Sequence, residues 1–195
     1  MSNIKRCNWC DSCDLMREYH DKEWGIPVHD DKKLYEYLML EVMQCGLNWK
    51  MMLVKRDIFN SCFENFDYNK IALYIEDDII RIMETPGMIR SRRKIEAIIH
   101  NARCFIEVQK EFGSFDKFLW SFTDNRSIIY AEGNTNTKSK HSDAIALALK
   151  KRGFKFLGTL TVYAYIQAVG IVNDHDKYCH LYQPLADVCV VDTLY

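Results

Sequence analysis

Apolar residues recur three and four positions apart along almost the whole chain, and only three prolines and eight glycines interrupt them. That spacing gathers an apolar stripe on one face of a helix but scatters it over both faces of a strand, so it selects helices. In residues 32–45 (KKLYEYLMLEVMQC), Leu34, Leu38 and Val42 share a stripe, and Asp30 or Asp31 stands ready as the N-cap. Residues 49–62, 68–83, 89–111, 115–123, 142–151 and 159–170 read the same way. The segment 93–106 is the clearest, with Ile95, Ile98, Ile99, Ala102 and Phe105 on one face. No stretch alternates convincingly with period two. The chain is expected to be all-α, a single domain over 1–195 with two helical lobes. Thr85-Pro86-Gly87 reads as a turn, 132–141 as a polar surface loop, and the tail 183–195 has no assignment.

No apolar run approaches the ~18 residues a membrane helix needs, and the opening MSNIKRCNWC lacks the apolar centre of a secretion signal. The sequence thus predicts a cytoplasmic protein with no membrane partner. A net charge of −1 excludes a basic field over the whole molecule. Two local runs remain: Arg90, Arg92, Arg93, Lys94 and Arg103 against Glu96, and Lys138, Lys140, Lys150, Lys151, Arg152 and Lys155 against Asp143. Each reads either as a solvated helix face or as part of a phosphate-binding surface.

Eight cysteines are many for a reducing compartment, where disulfides are disfavoured. Cys45, Cys62 and Cys104 stand singly in helical stretches as core thiols; Cys189 has no reading. Cys7, Cys10 and Cys13 cluster early, and His175 and Cys179 are spaced to share one face of a helix. Cys7, His20, His175 and Cys179 would make a closed two-sulfur, two-imidazole set for a structural zinc. By spacing alone, an iron–sulfur or all-cysteine site and unmetallated thiols stay open. A second constellation is aromatic: Trp9, Tyr19, Trp24 and Trp49, with Glu41 interrupting an apolar helix. A carboxylate there is costly to bury and therefore paired or functional, and aromatic planes with one buried acid suit a flat cationic ring. A third is Lys155-Phe156-Leu157-Gly158-Thr159, where a glycine turn between two helices points N–H groups outward, as phosphate binding requires.

The ordered segments Arg6-Cys7-Asn8-Trp9, Tyr19-His20-Asp21-Lys22-Glu23-Trp24-Gly25, Gly46-Leu47-Asn48-Trp49, Lys151-Arg152-Gly153-Phe154-Lys155-Phe156 and Asn173-Asp174-His175 resemble the DNA-3-methyladenine glycosylase I family of the helix-hairpin-helix superfamily. The likeness covers residues 6–179. It implies one structural zinc on Cys7, His20, His175 and Cys179, joining the two ends of the chain, with Cys10 and Cys13 as bystanders. It implies a base pocket with Tyr19 and Trp49 as walls, Glu41 on the excised base, and Trp9 and Trp24 around it. A hairpin over about 150–172, with Lys155, Gly158 and Thr159, would grip the DNA backbone. Met16 stands where the family carries an aromatic, so a thioether is expected in the pocket wall. Asn173 occupies the position at which most of the superfamily places a catalytic Asp.

The implied activity is hydrolytic excision of N3-methyladenine from alkylated double-stranded DNA, by a monomer without lyase activity, with the free base as product. Two other readings compete. A zinc-stabilised DNA-binding module would bind alkylated DNA and release nothing; a redox protein built on Cys7, Cys10 and Cys13 would absorb visible light.

Overall fold

The computed structural model describes residues 4–133 and 136–195. Residues 134 and 135 of the expected loop, and the first three of the chain, lie outside the described residues. Eleven α-helices carry the described chain: α1 Asp14–Lys22, α2 Asp31–Gln44, α3 Trp49–Val54, α4 Arg56–Cys62, α5 Tyr68–Ile71, α6 Glu76–Glu84, α7 Arg92–Phe112, α8 Phe115–Trp120, α9 Lys140–Lys151, α10 Thr159–Ala168 and α11 Tyr182–Ala186.

Periodicity located the long helices, and local chemistry set their ends. Asp30 caps α2 by accepting from the Lys33 N–H at 2.8 Å. Gly113 closes α7 in the left-handed region at φ 87°, where a Cβ is disfavoured. The single helices expected over 49–62 and 68–83 each break in two. The Thr85-Pro86-Gly87 turn falls between α6 and α7 as expected.

α2 is the spine. Nine of its side chains are buried, and it packs on α7, α8 and α10. Its backbone is pinned from both sides: the Tyr35 hydroxyl donates to the Ile98 carbonyl at 2.9 Å and the Tyr165 hydroxyl to the Leu34 carbonyl at 3.1 Å. The buried apolar side chains form one continuous cluster. The expectation of no strands needs correction. Ile128–Tyr130 (β1) pairs in parallel with Val190–Asp192 (β2), register Ile128 to Val190, so the unassigned tail docks on the body. Leu194 is buried there, and Asp192 pairs with Lys140 at 2.7 Å at the start of α9. Three-residue strands so far apart in sequence leave no periodic signal.

Candidate active site

Widely separated pieces of chain supply one cavity. Trp9 comes from a short 3-10 turn, Asn8–Cys10. Tyr19 lies on α1 and Trp24 just beyond it. Glu41 sits in the last turn of α2. Asn48 caps α3 by accepting from the Met51 N–H at 2.9 Å, which starts that helix at Trp49. All five line a cavity of about 410 Å³, together with Gln44, Gln167 and Asp174. Tyr19 and Trp49 rings meet with centroids 5.3 Å apart, and Trp9 and Trp24 edge-on at 5.0 Å.

Two polar groups on these walls are unsatisfied. Among the described residues no side chain or backbone group hydrogen-bonds the Glu41 carboxyl, which is only 4% exposed. Burial alone pushes it up to about 8, because removing the carboxylate from water disfavours its charge. The Trp49 Nε1–H is likewise buried without an acceptor. Unmade hydrogen bonds in a protein interior cost about 1–3 kcal/mol each, so their concentration in one cavity marks a place built for a ligand with complementary polar edges. Met16 does not take part. It is buried on α1 and is not among the cavity's lining residues, so the expected thioether wall is absent.

The candidate metal ligands converge beside this cavity, which Cys7 also lines. Donor atoms of Cys7, His20 and Cys179 lie within 4.8 Å of one another, with Cys179 Sγ 3.5 Å from His20 Nε2. His175 is not in that tight group, but its ring centroid is 5.1 Å from that of His20 and its Nε2 is buried without a partner. Both imidazoles have their other nitrogen engaged: His20 Nδ1 with Asp21 at 2.8 Å and His175 Nδ1 with Asn173 Oδ1 at 3.0 Å. That is how metal-bound histidines are oriented. Burial pushes the Cys7 thiol up and His175 down to about 3, and a cation in the cluster would make the thiolate favourable. The donor set fits a tetrahedral soft cation. His175 and Cys179 lie in irregular chain beyond α10 and not, as their spacing suggested, on one helix face. Cys10 donates to the Cys7 carbonyl at 3.1 Å, and neither Cys10 nor Cys13 joins the group.

Comparison with known proteins gives the family of the chain. A model of the methyladenine glycosylases matches residues 9–182. The chain is 42% identical over 182 residues to DNA-3-methyladenine glycosylase 1 of Escherichia coli K12, covering 92% of this chain and 97% of that protein. The protein belongs to the methyladenine glycosylase family. A crystal structure of 3-methyladenine DNA glycosylase I superposes with a TM-score of 0.86 at 43% identity, covering 90% of this chain and 98% of the other. A tyrosine-to-phenylalanine variant of 3-methyladenine DNA glycosylase I, solved in complex with 3-methyladenine, gives 0.86 at 32% identity over 91% and 97%.

As a methyladenine glycosylase the chain shows further features that its motifs had not revealed. The Asn173 carboxamide accepts from the His175 backbone N–H at 3.2 Å and meets the His175 ring, and it is not on the cavity wall. It therefore orients a metal-ligand candidate. Gln167 was overlooked, although it is the sole side-chain amide in the apolar helix α10. It donates to Asp174, as does the Tyr163 hydroxyl at 3.2 Å.

The hairpin α9–α10 presents an exposed turn at Lys155–Gly158. Asn101 of α7 holds it, accepting from the Lys155 N–H at 2.8 Å and donating to the Lys155 carbonyl at 3.1 Å. The Thr159 hydroxyl is consumed inside the hairpin by Asp143 and Ser142. The basic runs are partly spent internally. Arg92 pairs with Glu76 and Glu96, Lys94 is buried on the Met43 and Cys45 carbonyls, Arg152 pairs with Glu111, and Lys140 with Asp192. Cys62 and Cys104 are core thiols, whereas Cys45 is only half-buried against the hairpin. No helix among the described residues is long and apolar enough to cross a membrane.

Proposed function

We propose that the protein excises N3-methyladenine from alkylated duplex DNA, as a monomer in the bacterial cytoplasm, and leaves an abasic site. The carrying observation is that Tyr19, Trp49 and a buried, unpartnered Glu41 converge on one cavity of about 410 Å³. The hairpin turn at Lys155, Gly158 and the Thr159 N–H holds the phosphate backbone. The damaged nucleotide swings out of the stack and its ring enters the cavity against Tyr19 and Trp49, with Trp9 and Trp24 around it.

Charge then decides the outcome. An N3-methylated purine in DNA is cationic, so its C1′–N9 bond is weakened. Glu41, which burial keeps largely protonated in the empty cavity, ionises when a positive ring arrives and supplies the opposing charge. A neutral adenine offers no such compensation and a poor leaving group. When the C1′–N9 bond breaks, the bonding pair leaves with the base and neutralises it. Water adds to C1′ and gives up a proton. No lysine nucleophile is invoked, so strand cleavage does not follow.

Zinc, held by Cys7, His20, His175 and Cys179, would supply a cross-link between the chain ends and no reacting group. His20 and His175 touch Trp24, at centroid distances of 6.0 and 4.5 Å, so that cross-link also backs a cavity wall. The direct test is incubation with methylated duplex and identification of the released bases. Free 3-methyladenine with intact strands is the expected result. Duplex bound without base release would support the non-catalytic module instead.

A further inference from the structure

Much of the base cavity comes from α1, α2 and α3, and among the described residues no salt bridge between cavity side chains joins these three elements. A partly buried charge cluster behind the cavity does. Arg56, the first residue of α4, donates from Nη1 to Glu23 Oε1 at 2.8 Å and from Nε to Glu36 Oε1 at 2.7 Å. Its Nη2 is buried 2.8 Å from Glu23 Oε2, an ion contact without hydrogen-bond alignment. The Tyr37 hydroxyl donates to the same Glu23 oxygen at 2.6 Å, and the guanidinium lies 5.7 Å from the Tyr37 ring centre. Arg56 holds the Glu23 carboxyl below its ordinary range despite burial.

Each partner adjoins a cavity residue. Glu23 immediately precedes Trp24, and both of their backbone N–H groups bond the Tyr19 carbonyl, at 2.9 and 3.0 Å. Tyr37 stands one turn before Glu41 on the same face of α2. Arg56 begins the helix that follows α3 with only Lys55 between, so it carries the Trp49 segment. Neither Arg56, Glu23 nor Tyr37 lines the cavity.

We infer that Arg56 is a positioning residue for base recognition, fixing through Glu23 and Tyr37 the spacing at which Tyr19, Trp24, Glu41 and Trp49 receive the flipped ring. The inference rests on the function proposed above and deepens it. Apolar contacts alone tolerate sliding, whereas a charged fork meeting carboxylates is directional, and a misplacement of about 1 Å can cost about 100-fold in rate. Lysine cannot reproduce the fork.

The test uses the purified full chain. Free 3-methyladenine binding is read from the fluorescence of the cavity tryptophans, and single-turnover excision is measured on methylated duplex. Arg56→Met is expected to weaken base binding and slow excision at least tenfold, with affinity for undamaged duplex within threefold. Arg56→Lys should recover only a minor part. Glu23→Gln combined with Arg56→Met should be no worse than the poorer single variant. Tyr37→Phe, a milder change that keeps the charges, should cost about threefold in both readouts. Arg56→Met that melts earlier but binds and excises like wild type below its midpoint would overturn the inference alone, as would an unaffected Tyr37→Phe. A wild-type chain that releases no base removes the underlying function and this inference with it.

Discussion

At the residue scale, Glu41 carries opposing demands. Its carboxyl is buried without a partner and raised to about 8, so near neutrality it is mostly uncharged until a cationic ring enters. Glu41→Gln keeps the shape and removes the ionisable proton. Excision of 3-methyladenine is expected to fall by about 100-fold or more, the range seen when one electrostatic contact to a transition state is lost, while duplex affinity stays within threefold. The check is single-turnover release beside a binding titration; equal losses in both would remove Glu41 from the base cavity. The same shift makes two pH predictions. On the proposed reading, in which ionised Glu41 recognises the lesion, kcat/KM should rise with pH through about 8 in wild type and be flat there in Glu41→Gln. For stability the sign is reversed. A carboxyl whose folded value lies above its unfolded value stabilises fully below the unfolded value, and that contribution is lost as pH rises through the folded one. Wild type and Glu41→Gln should therefore differ least below about pH 4, and the variant should gain on wild type as the pH rises to 9, by on the order of 4–5 kcal/mol.

At the scale of elements, the hairpin turn separates DNA grip from folding. Gly158 has φ −76°, which any residue adopts, and a Cβ there meets nothing within 4 Å. Gly158→Leu should leave the melting temperature within about 2 °C, yet reduce duplex affinity at least tenfold by holding the phosphate backbone away from the α10 N-terminus. Calorimetry and a binding titration decide it, and unchanged affinity would move the DNA to another surface. Helices such as α2 and α7 were legible in sequence because each buries a stripe of its own residues. The cavity aromatics and Glu41 were legible too, since a carboxylate among leucines, and tryptophans crowded into the first 50 residues, break the ordinary pattern. Features made by contact across the chain were not. The β1–β2 pair, the Lys94 ammonium on the end of α2, the Asn101 grip on the hairpin and the Arg56 cluster depend on which elements become neighbours, and no local periodicity encodes that. The contact that Asn173 makes depends on the same kind of neighbourhood: its side chain turns to His175.

At the scale of the whole molecule, the two ends of the chain meet at one point. Cys7 and Cys179 share the candidate metal cluster, and the His180 backbone N–H donates to the Lys5 carbonyl at 2.9 Å beside it. Packing is close there: a Cβ on Gly25, whose φ is +79°, would come within 2.6 Å of the His175 ring. Without an ion, two buried thiols and two buried imidazoles would face each other with little to hold the ends together. With one, the loop they close spans nearly the entire domain, the case in which a cross-link removes the most freedom from the unfolded chain. Cys179→Ala leaves three donors and should lower zinc content from one per chain toward zero. Stability should fall by about 3 kcal/mol or more, which for a domain of this size is a melting-temperature drop of about 6–12 °C. Because His20 and His175 lie against Trp24, base affinity should fall as well, but less steeply than in Glu41→Gln, since the cavity walls keep their own packing. Elemental analysis and calorimetry on the same preparation provide the check: unchanged zinc and unchanged melting would remove Cys179 from the metal site.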